Sequence, residues 1–124
     1  LICDASMPTW NVAHYTRDRV KGDKIPLEFL VRKQTKETAE TFGLMDRGQI
    51  KEGYMADINI IDHDNLCVYK PEMVHDLPTG SRRIIQKAGG YIATIKSGVV
   101  TFKNDEATGE LPGTLIRGEQ TAAA

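Results

Sequence analysis

The sequence predicts an α+β fold with helices first and strands after. Three observations point to it. Residues 9–43 carry helix-spaced apolar positions between capping and stopping residues. From Ile50 the apolar period becomes two. Gly90 to Lys103 has the form of a β-hairpin.

The elements follow in order. Leu1-Ile2-Cys3 is an apolar triplet that reads as the tail of a buried strand, which suggests a chain continuing upstream. Asp4 to Pro8 is loop chemistry, because proline pushes Met7 out of helical geometry. Thr9 can then cap a helix with Trp10, Val12, Ala13 and Val20 on one side and Arg17, Asp18, Arg19 and Lys21 on the other, ended by Gly22-Asp23. A second helix starts at Pro26 and carries Leu27, Leu30 and Val31, and a third runs from Thr35 as N-cap through Ala39 and Phe42 to Gly43. Ile58 and Ile60 then alternate with Asp57, Asn59 and Ile61 as a half-buried strand. Residues 65–78 are less regular, limited by Pro71 and Pro78. Tyr91–Ile95 and Val99–Phe102 flank a Lys96-Ser97-Gly98 turn, and Asn104-Asp105-Glu106 forms a second turn. Thr108 to Arg117 reads as an extended strap, and Thr121–Ala124 as a fraying end.

Bulk properties narrow the function classes. The 124 residues suit one ordinary domain, and 40% hydrophobic with 27% charged content describes a soluble globular protein. Sixteen basic against seventeen acidic side chains give a formal charge of −1, which supplies no basic face for nucleic acid or an anionic membrane. No apolar run reaches the roughly 20 residues needed to span a bilayer, and no signal peptide is visible. Cys3 and Cys67 lie far apart and suggest neither a disulfide framework nor a zinc knuckle, so a reduced, cytoplasmic setting is expected.

Candidate sites are sparse. His14, His63 and His75 show no HxH or HExxH spacing, and a solvated or partly packed histidine is expected at each. Asp62-His63-Asp64 lacks the pattern of a calcium loop and reads as a strand-ending turn. Thr79 to Arg83 lacks the phosphate-loop pattern, and Arg82 and Arg83 are expected to fix this segment against carbonyls or carboxylates. Ser6 has no nucleophile-elbow context, and Cys3 and Cys67 are expected to be buried and inert. Arg17-Asp18-Arg19 reads as a solvated helix face or as a guanidinium reaching a substrate carboxylate.

Several segments together carry a resemblance. Gly43 to Asp62 holds two glycine-punctuated turns around Ile50, then Ala56-Asp57 and an apolar run. This resembles the place where metal-dependent amidohydrolases leave their catalytic barrel for a small β domain. Cys3-Asp-Ala-Ser-Met-Pro-Thr9 resembles the loop after the last barrel strand in the N-acyl-D-amino-acid deacylase (D-aminoacylase-like) branch. Pro26 to Thr35, Thr38-Ala39 and Phe42 to Gly48 are similar to its helices and exit turn. Asp76 to Gly80 with Arg83, Gly98-Val-Val, Thr108-Gly109, Leu111-Pro-Gly113 and Arg117-Gly118 are similar to its tail.

The resemblance implies that residues 1–44 end a (β/α)8 barrel and residues 45–124 form the C-terminal portion of a small β-sandwich domain. It implies a parent that hydrolyses the linear amide of N-acyl-D-amino acids. A divalent metal, usually zinc, would activate the water there, and the metal ligands and catalytic aspartate would precede this sequence. No catalytic or metal-ligating residue, and no zinc bound by this chain alone, is therefore expected. Asp4, Ser6 and Thr9 become candidates for contacts on the substrate side, with Arg17 as a candidate partner for a substrate carboxylate. The expected partners are the small N-acyl amino acid and the missing N-terminal part of the same protein. Without the latter, uncovered apolar faces should promote self-association and leave the chain catalytically silent. The rival readings are a cyclic-amide enzyme of dihydroorotase or hydantoinase type and a non-catalytic β-rich interaction module.

Overall fold

The computed structural model describes residues 3–121, with side chains from Ser6 onward. Helix α1 spans Cys3–Ala13 and continues as a π-helical turn over His14–Asp18. Helix α2 (Leu27–Arg32) passes through a second π turn (Lys33–Glu37) into α3 (Thr38–Thr41). The strands are β1 (Ile58–Ile61), β2 (Cys67–Val68), β3 (Glu72–Val74), β4 (Arg83–Ile85), β5 (Ala88–Gly89), β6 (Tyr91–Lys96), β7 (Val99–Lys103) and β8 (Glu106–Ala107). They form an antiparallel four-stranded sheet in the order β1-β6-β7-β8 and two-stranded pairs β2-β5 and β3-β4. The α+β class is as expected, with helices preceding strands.

The helical boundaries differ from the sequence expectation in a consistent direction. Asp4 to Pro8 is helix, not loop, with Pro8 inside α1, and Thr9 lies mid-helix instead of capping it. Cys3 likewise opens a helix instead of closing a strand, while the strand expected at Leu1-Ile2 lies outside the described residues. A proline at this position forgoes one backbone hydrogen bond, and tertiary contacts offset the loss. Ser6, Thr9, Val12 and Ala13 are all buried on one stripe of α1. The helix then ends at Asp18, ahead of Gly22-Asp23, as Arg19 turns to φ −60°, ψ 122°.

The second and third expected helices are one continuous stretch. Thr35 does not cap: its hydroxyl donates to the Val31 carbonyl at 2.7 Å, and Thr38 and Thr41 bond back to Lys33 and Glu37 in the same way. Gly43 ends the stretch as expected. At φ 68° its N–H reaches Glu40 O, while Leu44 N–H reaches Ala39 O, the paired bonds of a Schellman motif.

In β1 the expected inward residue is displaced. Ile60 pairs with Ala93 but Ile61 pairs with Tyr91, so β6 carries an extra residue, Ile92, as a bulge opposite this step. Beside it Ile61 packs on the core and Ile60 is exposed. The β6–β7 hairpin closes on Ser97-Gly98, both at positive φ, and Asn104-Asp105 repeats that geometry before β8. The strap returns to the helix end: Gln120 bridges Leu44 in parallel, with Met45 N donating to Gln120 O at 2.9 Å and Gln120 N to Gly43 O at 2.8 Å. Residues 122–124, the rest of the expected fraying end, lie outside the described residues.

The core is small and sits between α1 and the strands. Val12, Ala13 and the fully buried Leu66 form it, with Leu27, Ile61 and Tyr91 packed around them. No helix among the described residues is long and apolar enough to cross a membrane.

Candidate functional site

The chemistry-bearing side chains gather along the seam where α1 lies on the strands. Ser6 and Thr9 stand one helical turn apart and face the same way. Ser6 Oγ donates to Gln86 Oε1 at 2.6 Å, and Gln86 Nε2 donates to the Tyr69 carbonyl at 3.0 Å. Gln86 thus bridges the helix to the end of β2. Thr9 Oγ1 and the Tyr91 hydroxyl share a hydrogen bond of 2.6 Å. Asp4 lies in α1, but its side chain is outside the described residues.

Arg17 anchors the far end of the seam. Its Nη1 donates to the carbonyls of His63 and Asp64 (2.9 Å for the latter), and its Nη2 donates to Leu66 O at 2.7 Å. Nε and Nη2 also grip Asp18 at 2.6 and 2.9 Å. All five guanidinium N–H donors therefore have partners within the chain. The hydrogen bond to Asp18 raises the Arg17 pKa, and the same bond lowers the Asp18 carboxyl below its ordinary range.

Thr16 adds a parallel contact. Its hydroxyl donates to Val12 O at 2.7 Å, so the 2.8 Å bond to His63 Nε2 requires the imidazole to donate from that nitrogen. His63 thereby becomes a half-buried packing group in its turn. Asp62 closes that turn by accepting from Asn65 Nδ2 at 2.7 Å, which lowers its pKa. His14 stacks on Trp10 with ring centroids 4.4 Å apart, edge-on to Tyr15, and His75 is exposed. These placements do not fit a metal: among the described residues no three His, Cys, Asp or Glu side chains converge.

The Ala56-Asp57 motif has a definite job. Asp57 accepts from Arg47 Nη1 at 3.2 Å, Lys96 Nζ at 3.0 Å and the Ser97 backbone N–H at 2.9 Å. Gly98 N–H donates to Ala56 O at 3.0 Å. The motif thus clips the exit turn to the tip of the β6–β7 hairpin, and its carboxylate is a structural staple. Arg47 also holds Asp46, lowering its pKa through hydrogen bonds at 2.8 and 2.9 Å.

Two sequence expectations are refined here. Arg83 does fix its segment, gripping Asp76 in two bonds at 2.7 and 2.6 Å across the β3–β4 loop. Cys67 is half-buried rather than fully enclosed, and it raises the pKa of the Tyr69 phenol by hydrogen bonding. Sequence reasoning missed Gln86, Tyr91 and the 63–66 carbonyl turn as partners of α1. Their separations of 80 residues for Ser6–Gln86 and 82 for Thr9–Tyr91 leave no local signal.

Residues 1–102, from α1 through most of β7, match the amidohydrolase family, and the chain belongs to that family. Within it, the chain is similar to a D-aminoacylase from Alcaligenes xylosoxydans xylosoxydans, 32% identical over 105 residues. That alignment covers 85% of this chain, and the chain spans 19% of the relative's length. No solved structure matches the chain.

Proposed function

We propose that this chain is the C-terminal portion of a longer metal-dependent hydrolase that cleaves the linear amide of N-acyl-D-amino acids. In this reading residues 1–44 close a (β/α)8 barrel and residues 45–124 belong to its small β-sandwich domain. A divalent metal, zinc in this reading, would be held by residues elsewhere in the longer protein and would activate the attacking water. The observation that carries the proposal is the 32% identity to a D-aminoacylase, which extends over 85% of the chain.

The geometry gives this chain a supporting part. A helix following a barrel strand begins at the face where barrel active sites are built. Asp4 and Ser6 lie in the first turn of α1 and Thr9 one turn further on; in this reading they border the substrate side through the placement of the helix, since the Ser6 and Thr9 hydroxyls are engaged with Gln86 and Tyr91. Arg17 lies eleven residues beyond Ser6, roughly 16 Å along the helix axis. With its donors engaged by the 63–66 turn and Asp18, it serves as an anchor for the helix. The exposed Val20 (99%), Leu111 (92%), Ile50 (91%) and Phe42 (73%) support a missing covering part and a tendency to self-associate.

The test is side-by-side turnover of N-acetyl-D-amino acids, their L enantiomers and the cyclic amides hydantoin and dihydroorotate by the full-length gene product. Preferential hydrolysis of the D-acyl substrates is expected. Preference for the cyclic amides would move the protein to the dihydroorotase or hydantoinase type, and no turnover of any of them would favour an interaction module.

A further inference from the structure

We infer that Tyr91 and Gln86 are positioning residues of the parent hydrolase, holding the end of α1 that borders its active site. This rests on the function proposed above. Both side chains come from the strand region and reach across the seam to residues one turn apart on α1, at 2.6 Å each. Both bonds are well sheltered on the helix side, since Ser6 is 7% and Thr9 5% exposed. Each partner is itself fixed. Tyr91 packs against the Val12, Ala13 and Leu66 core, and its backbone N–H donates to Asp105 Oδ1 at 3.2 Å. The amide orientation of Gln86 is set because Oε1 accepts from Ser6 while Nε2 donates to Tyr69 O.

The arrangement tolerates Pro8 within α1, between the two contacts. A proline-interrupted helix lacks one of its own bonds at that point, so its course depends on what it is tied to. Gln34 Nε2 adds a bond at 3.1 Å to the Pro8 carbonyl from the neighbouring helix. Tyr91 and Gln86 thereby transmit the position of the strands to the start of α1, whereas the core residues below them only supply stability.

The test uses the full-length protein with Tyr91→Phe, Thr9→Val, the double variant and Thr9→Ser. Tyr91→Phe removes a single hydroxyl and keeps the ring in the core, so folding is preserved. A drop of about tenfold in kcat/KM for an N-acetyl-D-amino acid is expected for each of Tyr91→Phe and Thr9→Val, carried mainly by kcat. The double variant should be no worse than either single one, and Thr9→Ser should keep the activity, because the hydroxyl pair is one interaction. Hydrogen exchange over residues 6–13 should quicken in Tyr91→Phe and Thr9→Val alike. Kinetics within about twofold of wild type, or losses that multiply in the double variant, would overturn the inference, even with faster exchange. If the wild type turns over no acyl amino acid, the functional reading fails on its own account. Unchanged exchange in both single variants would then overturn the positioning contact separately.

Discussion

Replacing Leu66 by alanine is expected to destabilise the chain by roughly 2–5 kcal/mol, the range for emptying a fully buried leucine site. The reason is the size of the core. Leu66 is 0% exposed and, among the described residues, is joined in the core cluster by the buried Val12 and Ala13, with Leu27, Ile61 and Tyr91 around them. A cavity there removes apolar contacts from the helix side and the strand side at once. The same segment also presents its backbone to Arg17 through the Leu66 carbonyl. A shift of residue 66 therefore loosens the polar anchor together with the packing. Urea unfolding followed by the fluorescence of Trp10, the chain's single tryptophan, measures the effect. Leu111→Ala is the control: at 92% exposure it should change stability by less than about 0.5 kcal/mol.

The second large effect is expected at Gly90. Its φ is +94°, and a Cβ there would lie 2.8 Å from Leu66 Cα and 3.0 Å from Leu66 N. Those are backbone atoms, which cannot rotate away as a side chain would. Gly90→Ala should therefore combine left-handed strain with a collision and cost about 2 kcal/mol or more. Gly80→Ala separates the two contributions, since Gly80 has φ +70° and nothing within 4 Å of its added Cβ. It should lose only the strain, about 1 kcal/mol. A comparison of the two denaturation midpoints decides the matter. Equal losses would show that the close approach of Gly90 to the 65–66 backbone contributes nothing.

These two residues show how much of the fold could be read in advance. Helix-then-strand order, the Gly43 stop and the Ser97-Gly98 hairpin rest on local spacing and turn chemistry, and all are legible. The course of α1 is not. Its first residues look like a loop because Pro8 is a strong local signal, yet Ser6, Thr9, Val12 and Ala13 make a buried stripe against partners far along the chain. The joining of the second and third helices fails to show for a similar reason. Thr35 is a good capping residue in isolation, but its hydroxyl is taken by Val31 O. The bulge at Ile92 of β6, opposite Ile60 and Ile61, lies in a partner strand about thirty residues away, and the local pattern of β1 does not mark it.

The site was legible only in part. The residues Ser6, Thr9 and Arg17 could be singled out from sequence, but their partners could not. Nothing near Gln86 or Tyr91 in the chain foretells contacts across 80 and 82 residues. The Ala56-Asp57 turn could be recognised as a pattern, while the reason for its aspartate emerges from three converging donors on Arg47, Lys96 and Ser97. A carboxylate that binds two cations and a backbone N–H pins the hairpin tip to the exit turn, a task that neutral residues perform less well.

Under the proposed function, this chain supports chemistry performed elsewhere in a longer hydrolase. The most direct test purifies the 124-residue chain and the full-length protein side by side. It measures bound zinc and the hydrolysis of an N-acetyl-D-amino acid in both. Turnover with bound metal is expected from the full-length protein, and neither from the chain alone. Stoichiometric zinc together with turnover in the 124-residue chain would contradict the account.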